Sequence, residues 1–555
     1  MTPGGRGVST RQAAELGAWA ARRPDAEAVV IVDGTGPVPG GARPTERITY
    51  AELDAAANRL ARVLRRAGLR RDDRIAFVLG NEPAVFVVFW AAMRTGLHVV
   101  PINRHLLAPE IRYILDDAEV TAVVGSPGGG VGWPDAVTGR SSCLTLAVGG
   151  SLEEAMAVES EDPVEDAEEG QLLLYSSGTT GRPKGILRPL PGFGPGQGPT
   201  TGSDIADGFG LREGDRYLST GPLYHSAPLA FSTAQQRIGA TAVVMTRFDA
   251  ATALRILVEE DITTSQWVPT MFSRLLALPD DVKEAFGAAP KAHSGASPAA
   301  PKAHSGASSP ASPKAHRLAI HAAAPCPVGV KRQMIDWWGP ILLEYYSASE
   351  GGRTMISSPE WLDRPGSVGR HWRGGRVWIL DERGEPCPPG VVGRVFFDAP
   401  PEASRFRYLG DPARTAAAYD RTGTRFSVGD VGWLDEDGYL FLTDRDGDLI
   451  ISGGVNIYPR EAENVLLEHP AVADAAVVGL ADPDLGQRAV AVVVPAPGVE
   501  PEPTLAEALL AHCRAHLARY KCPRELRFRT EVPRSEAGKI VKRDLRAALE
   551  AADGT

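Results

Sequence analysis

The stretch Leu173–Gly185 reads LLYSSGTTGRPKG and does most to decide the fold. The hydrophobic run Leu172–Tyr175 is typical of a buried β-strand, and it leads into a loop of hydroxyls, glycines and a lysine. Glycines let backbone N–H groups turn toward an anion, hydroxyls donate to phosphate oxygens, and lysine supplies positive charge. The spacing differs from that of the Walker loop. We predict a phosphate-binding loop with the residues Ser176, Ser177, Gly178, Thr179, Thr180, Gly181 and Lys184; on composition alone, a Gly/Thr surface loop is the alternative.

The size and charge of the chain restrict its class. Its 555 residues exceed what one hydrophobic core usually serves, so at least two domains are expected. A hydrophobic content of 43% with 23% charged residues is ordinary for a globular protein. The net charge of -10 argues against nucleic acid as a partner, because nucleic-acid-binding proteins normally carry a basic face. A homo-oligomer is compatible with these numbers.

Cysteine usage and hydropathy predict a cytoplasmic protein. The five cysteines are scattered and form no C-x-x-C pair, which favours a reducing compartment without a disulfide scaffold or zinc site. The segment 1–13 lacks the apolar region of a signal peptide. The longest apolar run, Ala84–Met93, is far shorter than the roughly 20 residues of a membrane helix, so integral membrane association is not expected.

Alternating helical and strand patterns predict an α/β fold with largely parallel sheets. A helix is expected to begin after Thr49, with a capping box to Glu52, and to present Leu53, Ala57, Leu60 and Leu64 on one face. Short β-branched runs at 74–78 and 120–124 predict strands. We expect a large N-terminal domain of layered sheets and helices over 1–446 and a smaller, mobile α+β domain over 447–555.

A low-complexity insertion is predicted over 290–316. The motif PKAHSGAS occurs at 290 and again at 301, and a third copy begins at Pro313. Its Ala, Pro, Ser and Gly content cannot bury a core, so we interpret the segment as a mobile surface insertion. Its histidines, His293, His304 and His316, invite a metal hypothesis, but a solvated linker is favoured because no supporting carboxylates accompany them.

The ordered string at 173–185 resembles the phosphate-loop signature of the adenylate-forming (ANL) superfamily. This superfamily includes acyl- and aryl-CoA synthetases, peptide-synthetase adenylation domains and beetle luciferases. Further matches follow in the family's order across nearly the whole chain, namely Pro222–His225, His321–Pro325, Glu344–Glu350, Gly429-Asp430, Asp444-Arg445, Ser452–Gly454 and Pro533–Lys539. The resemblance implies an ATP-using acid–thiol ligase of the stand-alone acyl-CoA synthetase branch.

The resemblance assigns the nucleotide contacts. It implies that Tyr346 stacks on adenine, with Ala323 in the same cofactor-binding set, and that Ser349 contacts the α-phosphate. Asp430 would accept the ribose hydroxyls and Arg445 would support the ribose. Glu350 resembles the family's Mg²⁺ carboxylate, which suits a hard cation bridging triphosphate oxygens.

Catalytic roles follow from the same resemblance. Thr179 and Thr180 lie in the phosphate loop, and Lys539 resembles the lysine that reaches across a domain gap to the carboxylate and the α-phosphate. His225 occupies a position that gates the acyl pocket, and no proton transfer is assigned to it. As ordinary residues, Lys539 would be one charge of a solvated face and His225 a structural histidine.

In the CoA ligases of the family, the small domain rotates after adenylation. Coenzyme A would then enter beside Gly453 and Gly454, and the hinge position is Gly447, where the family usually has Asp or Lys. Two further departures are Ser347 in place of the usual glycine and Ser349 in place of threonine. Glycine can adopt backbone angles that other residues avoid, so rotation is expected to remain easy.

The motifs are compatible with more than one acyl acceptor and with more than one substrate. Coenzyme A is favoured, whereas some relatives use a carrier protein or an amine, and the ATP-dependent diazotases activate nitrite. The run Glu350–Arg353 departs from the Glu-Gly-Asn-Gly of the fatty-acyl branch and places an arginine near the site. The substrate is expected to be a small-molecule carboxylic acid. From another class, a catalytically silent nucleotide-binding protein is disfavoured because it would not need Lys539.

Overall fold

The computed structural model describes residues 15–34, 45–126, 130, 132–176, 183–286, 316–445, 448, 450–452, 455–482, 485–517, 519–534 and 540–553. By their internal contacts they form two compact units. The first comprises Met1–Trp267, Leu278–Ile320 and Pro401–Pro412, and the second comprises Val268–Ala277, His321–Pro400 and Ala413–Thr555.

Helices and strands alternate from the start of the described chain. The first elements are α1 (Leu16–Arg22), β1 (Glu27–Val32), β2 (Thr45–Thr49), α2 (Tyr50–Arg66), β3 (Arg74–Val78), α3 (Ala84–Met93), β4 (His98–Pro101), α4 (Ala108–Asp117), β5 (Ala122–Gly125), α5 (Trp133–Val137), β6 (Leu144–Ala147), α6 (Ser151–Ala157), β7 (Gln171–Leu172), β8 (Leu174–Ser176) and β9 (Lys184–Leu187).

The middle of the chain continues the alternation and then becomes richer in strands. Its elements are α7 (Thr201–Gly208), β10 (Arg216–Ser219), α8 (Ser226–Arg237), β11 (Thr241–Met245), α9 (Ala250–Glu259), β12 (Thr264–Trp267), α10 (Pro269–Leu276), α11 (Asp280–Phe286), β13 (Leu318–His321), α12 (Val328–Trp338), β14 (Leu342–Ala348), β15 (Gly351–Ser357), α13 (Ser358–Asp363), β16 (Arg370–His371), β17 (Val377–Leu380), β18 (Gly393–Asp398), β19 (Arg407–Tyr408), α14 (Pro412–Ala418), β20 (Arg425–Leu434) and β21 (Leu440–Arg445).

The C-terminal elements are β22 (Ile450–Ser452), β23 (Val455–Ile457), α15 (Pro459–Leu467), β24 (Val472–Asp482), β25 (Gly486–Pro495), α16 (Pro503–His516), β26 (Glu525–Phe528) and α17 (Lys542–Asp553). The fold is therefore mixed α/β, with a large N-terminal part and a smaller α+β C-terminal part, as predicted. The predicted boundary at 446–447 falls outside the described residues and stays a prediction.

Parallel strands dominate the first unit. One sheet has the order β6-β5-β3-β4-β7, and every pairing in it is parallel. A second set has the order β12-β10-β11-β1, again parallel, with β2 antiparallel at its edge. Parallel sheets need helical crossovers and cover on both faces, which explains the alternation of elements along this part of the chain.

The helix predicted after Thr49 is confirmed as α2. Thr49 accepts a hydrogen bond from the Glu52 backbone, and the Glu52 side chain accepts one from the Thr49 backbone, so the capping box is complete. The four predicted apolar positions, Leu53, Ala57, Leu60 and Leu64, are all fully buried. They pack in one core with the all-buried helix α3.

The apolar run Ala84–Met93 is therefore a core helix. All ten of its residues are buried, and it packs against α2. Within the described residues, no helix combines the length and the apolarity that crossing a membrane requires.

The second unit contains three sheet systems. Strands β16, β15 and β14 pair antiparallel in that order, and β17-β18-β20-β21 form a four-stranded antiparallel sheet. In the C-terminal part, the order is β23-β22-β25-β24 with β26 beside β25. Alternate residues of β24 face opposite sides: Ala475 and Val477 join the core of α15 and α16, whereas Ala476 and Val478 join that of α17.

The repeats of the predicted insertion lie outside the described residues, except for its last residue, His316. That histidine is mostly buried, and its Nε2 atom lies 2.7 Å from Ser265 Oγ. Loss of solvation lowers the pKa of His316 to about 4. The interpretation of all three histidines as parts of a solvated linker is therefore wrong for His316, because a contact distant in sequence cannot be read from local composition.

Candidate active site

The residues that flank the predicted phosphate loop belong to two paired strands. Strands β8 and β9 are antiparallel, and Ser176 pairs with Lys184 at the base of the loop. Ser177, Gly178, Thr179, Thr180 and Gly181, as well as the side chain of Ser176, lie outside the described residues. The described part thus fixes the two ends of the loop.

The single strand predicted over Leu172–Tyr175 is divided in the structure. The backbone N–H of the fully buried Leu173 donates to Val99 O at 2.8 Å, in line with the parallel pairing of β7 and β4. The chain then leaves this sheet and begins the hairpin with Leu174. A continuous apolar run contains no signal for such a change of sheet.

The hairpin is anchored by hydrogen bonds from two tyrosines. Tyr175 Oη donates to Asp117 Oδ2 at 2.6 Å, and Tyr113 Oη donates to Pro183 O at 3.2 Å. Burial, together with the bond to Asp117, raises the pKa of Tyr175. At Gly185, a Cβ atom would lie 3.1 Å from both the Tyr175 ring and Leu409, so glycine permits the close packing of this strand.

Lys184 carries a buried charge that suits an anion. Its Nζ atom is buried and has no hydrogen-bond partner among the residues that the structure describes. A buried ammonium group without a partner is costly, so such a group calls for a counter-charge. A phosphate oxygen of ATP fits this requirement.

His225 stands directly before helix α8 and is fixed by its neighbours. Its backbone is extended at the helix N-cap position, and its ring lies 4.6 Å from the Tyr224 ring. Asn81 holds the preceding turn, because its side chain accepts from Leu223 N at 2.8 Å and donates to Gly221 O at 3.0 Å. The position is consistent with a side chain that borders a site at a helix N-terminus.

Tyr346 and Asp430 lie together in the second unit. Tyr346 Oη donates a hydrogen bond to Asp430 Oδ2, and Asp430 is 6% exposed. The Tyr346 ring also lies 6.1 Å from the Phe397 ring. Asp430 on β20 pairs directly with Arg445 on β21 through the backbone, whereas the Arg445 side chain lies outside the described residues. Of the three residues expected to contact adenine or ribose, Tyr346 and Asp430 are therefore hydrogen-bonded to each other. The backbone of the third, Arg445, lies opposite that of Asp430.

Ser349 and Glu350 occupy the tight turn between β14 and β15. The turn is followed by Gly351 and Gly352, which have φ values of 124° and 68°. At Gly352, a Cβ atom would lie 2.4 Å from the Phe397 ring, so only glycine fits. The turn directly follows β14, the strand that carries Tyr346, which is expected to contact adenine.

Glu350 offers a single carboxylate, the ligand type that Mg²⁺ prefers. Among the described residues, no group of three or more His, Cys, Asp or Glu side chains could hold a metal by itself. Mg²⁺ bound with a nucleotide does not need one, because one or two carboxylates and the phosphate oxygens normally complete its shell.

Arg353 lies on strand β15 and packs against two aromatic rings. Its guanidinium carbon lies 4.5 Å from the centre of the Trp372 ring and 5.9 Å from that of Tyr345. Such cation–π contacts orient a guanidinium group. The sequence did not predict these ring contacts. It did show that Arg353 departs from the Glu-Gly-Asn-Gly pattern of the fatty-acyl branch.

Ala323 has a backbone conformation that L-residues rarely adopt. Its φ is 77°, in the turn that follows β13. A non-glycine residue in this region costs of order 1 kcal/mol or more, and such strain concentrates at ligand sites. The contact of Ala323 with the nucleotide stays a prediction.

The remaining predicted residues lie outside the described part of the chain, but their flanks are described. Lys539 belongs to the segment 535–539, which is closed by a bridge between Arg534 and Ile540. Gly453 and Gly454 join β22 to β23, where Ser452 pairs with Val455. The residues that flank each of these segments are thus paired.

Comparisons with known proteins identify the family of the chain. The family model described as AMP-binding enzyme matches residues 16–403, and the AMP-binding enzyme C-terminal domain matches residues 461–539. The chain is 31% identical over 518 residues to the long-chain-fatty-acid–CoA ligase FadD13 of Mycobacterium tuberculosis, covering 91% of this chain and 94% of that protein.

Two further similarities concern the acceptor and the fold. The fatty acid–[acyl-carrier-protein] ligase ScoC of Streptomyces coeruleorubidus is 30% identical over 507 residues, covering 90% of this chain and 91% of that protein. The crystal structure of ATP-bound MatB from Rhodopseudomonas palustris superimposes with a TM-score of 0.77 at 26% identity, covering 97% of this chain and 99% of that one. The chain therefore belongs to the AMP-binding enzyme family of the adenylate-forming superfamily, and it is an AMP-forming ligase of the acyl-CoA synthetase type.

Proposed function

We propose that the protein activates a small-molecule carboxylic acid with ATP and Mg²⁺ and transfers the acyl group from acyl-AMP to coenzyme A. The observation that carries the proposal is the partly buried hydrogen bond from Tyr346, on the strand that leads to Ser349 and Glu350, to Asp430. This arrangement provides an aromatic ring for adenine, a carboxylate for the ribose and, at the turn, an oxygen ligand for a cation.

The first step is adenylation. A free carboxylate resists nucleophiles because it is already anionic, and a mixed anhydride with AMP supplies a leaving group. The carboxylate oxygen attacks the α-phosphorus and pyrophosphate leaves. Lys184, the hydroxyls of Thr179 and Thr180, and Lys539 would stabilise the negative charge that gathers there. When bound at Glu350, Mg²⁺ supplies further neutralisation of the phosphate oxygens.

The second step is thioester formation. The thiol of coenzyme A attacks the acyl carbon and AMP leaves. We propose that the C-terminal part first rotates about Gly447, which withdraws Lys539 and brings Gly453 and Gly454 beside the pantetheine. Support comes from the family match to both parts of the chain, residues 16–403 and 461–539.

A carrier protein is a supported alternative acceptor, because ScoC is nearly as similar to this chain as FadD13 is. An amine is another, because the amide bond synthetase McbA from Marinactinospora thermotolerans is similar in structure, with a TM-score of 0.76 at 25% identity. Coenzyme A is preferred since FadD13, feruloyl-CoA synthase and sulfoacetate–CoA ligase, each 31% identical to this chain, are all named for a coenzyme A product. We propose a cytoplasmic enzyme, in line with the absence of a disulfide bond among the cysteines of the described residues.

ATP–pyrophosphate exchange with a panel of acids and nitrite tests the first step. Exchange that requires one class of carboxylic acid supports the proposal. ATP binding without exchange for any compound would indicate a silent nucleotide-binding protein, and exchange with nitrite alone would indicate a diazotase-type reaction. Parallel reactions with coenzyme A and with an acylatable carrier protein then separate the two acceptors.

A further inference from the structure

A buried ion pair links helix α12 to strand β14. Lys331 Nζ donates to Glu344 Oε2 at 2.6 Å, and the two side chains are 0% and 8% exposed. The ammonium group also lies 4.7 Å from the centre of the Trp361 ring. Removing two charges from water is expensive, and an apolar pair of similar volume is often as stable. The geometry that the pair fixes is therefore a better reason for it than stability.

His321 extends this pair to a third element. It is the last residue of β13, it is fully buried, and its Nε2 atom lies 3.8 Å from Glu344 Oε2. Its ring packs on Phe272, with the ring centres 5.3 Å apart. Burial, followed by the charge of Lys331, holds the pKa of His321 well below its usual value. The imidazole is therefore neutral near pH 7, so its approach to Glu344 is a packing contact and not an ion pair.

Both ends of this network adjoin residues expected at the nucleotide. Glu344 and Tyr346 are two positions apart on β14, so their side chains lie on the same face of the strand. His321 precedes by two positions Ala323, the residue with the left-handed backbone. A shift of the Glu344 carboxylate would therefore move the tyrosine ring and the strained turn together.

We propose that Lys331, Glu344 and His321 are positioning residues that set the adenine-contacting surface formed by Tyr346 and the Ala323 turn. None of the three is a catalytic residue. The inference rests on the proposed function insofar as Tyr346 and Ala323 contact ATP. It adds that the affinity for ATP depends on the geometry of the buried Lys331–Glu344 hydrogen bond, which itself does not contact ATP.

The test compares ATP affinity with stability. The variant K331M/E344L replaces the pair by apolar side chains of similar length, and its ATP dissociation constant is measured by calorimetry without any acid. We expect a dissociation constant at least tenfold above that of the unsubstituted protein and a melting temperature within a few degrees of it. An unchanged dissociation constant in this folded variant would overturn the inference.

A matched control is the pair Arg237–Glu169. Its side chains are 3% and 2% exposed, and its cation also lies near a tryptophan, with the Arg237 guanidinium carbon 4.9 Å from the centre of the Trp90 ring. The variant R237M/E169L should leave the ATP dissociation constant within twofold. A tenfold loss in this control as well would show a general effect of buried pairs and would contradict a positioning role.

If the variant K331M/E344L does not fold, a more conservative variant tests the inference. Glu344→Gln retains an oxygen that can accept from Lys331, so we expect an ATP dissociation constant within threefold of that of the unsubstituted protein. A loss of tenfold or more in folded Glu344→Gln would contradict the proposed dependence on hydrogen-bond geometry. Since binding is measured without turnover, these outcomes are independent of whether the unsubstituted protein catalyses exchange.

Discussion

Tyr346 donates its phenolic hydrogen bond to Asp430, a residue 84 positions further along the chain. The bond joins β14 to β20, and β20 pairs with β21 so that Asp430 stands opposite Arg445. One contact thus connects the residue expected to stack on adenine with the residue expected to bind the ribose. The surface that we propose for the nucleoside would consequently be assembled from segments that are distant in sequence.

Tyr346→Phe tests this contact. The variant keeps the ring but removes the bond to Asp430, so the carboxylate loses an orienting partner. We expect the KM for ATP to rise roughly five- to tenfold, corresponding to about 1 kcal/mol. The control Tyr439→Phe removes a phenolic bond to Glu360 of 3.1 Å and should leave this KM within twofold. An equal effect of both substitutions would argue against the nucleotide role of Tyr346.

Glu350→Gln tests the cation site. The amide is similar in shape but lacks the charge that Mg²⁺ prefers. We expect the exchange rate to fall about a hundredfold and to recover partly at raised MgCl₂, as measured in a magnesium titration. The exposed residue Glu382 offers the control Glu382→Gln, which should behave like the unsubstituted protein. A Glu350→Gln variant with normal exchange and normal magnesium dependence would show that Glu350 does not bind the cation.

Lys539→Ala tests the division of labour between the two steps. The variant lacks the cation expected at the α-phosphate, so acyl-AMP formation from ATP should fall at least a hundredfold. The reaction of supplied acyl-AMP with coenzyme A should stay within a few-fold. Arg543→Ala removes a nearby cation that is 62% exposed and should affect neither step. Equal losses in both half-reactions of Lys539→Ala would contradict the proposed role.

Gly447→Pro tests the hinge. Proline fixes φ near -65° and restricts the rotation that thioester formation is proposed to need. We expect adenylation to change little and the second half-reaction to slow at least tenfold, whereas Gly447→Ala should slow it only a few-fold. Stopped-flow measurement of both half-reactions decides this. Thioester formation as fast as adenylation in Gly447→Pro would refute the assignment.

The pH dependence of stability reports on His316. Its pKa is lowered to about 4 in the folded chain, from an ordinary value of 6.5, so the unfolded chain binds a proton first as the pH falls. Its contribution is fully present above pH 6.5 and is lost between about pH 6.5 and pH 4. At pH 5 the loss is about 2 kcal/mol. Urea unfolding at pH 7.5 and pH 5 should show a smaller decrease for His316→Gln than for the unsubstituted protein; equal decreases would contradict the buried neutral imidazole.

Local patterns predicted the regular elements well. The capping box at Thr49, the apolar face of α2 and the strand Arg74–Val78 were all foreseen because their signals lie within a few neighbouring residues. The change of sheet at Leu173 and the burial of His316 were not, since both depend on partners far away, Val99 and Ser265. Periodicity does not identify such partners.

The candidate site was predicted by resemblance to a family rather than by local physics. Two separate motifs predicted Tyr346 and Asp430 as site residues, but only the fold shows that a hydrogen bond joins them. The pair Lys331–Glu344 was not foreseen, because an isolated lysine on a helix is normally solvated and nothing in its sequence context indicates burial. The roles of Lys539, Thr179 and Thr180 stay predictions.

The central claim is that one ATP is converted to AMP and pyrophosphate for each acid ligated to coenzyme A. Product analysis by chromatography and mass spectrometry, with a panel of carboxylic acids, coenzyme A and Mg²⁺, tests it most directly. The account predicts equal amounts of AMP and acyl-CoA thioester for at least one class of acid, and acyl-AMP alone when coenzyme A is omitted. Formation of ADP and phosphate, or of AMP without any ligated acid, would contradict it.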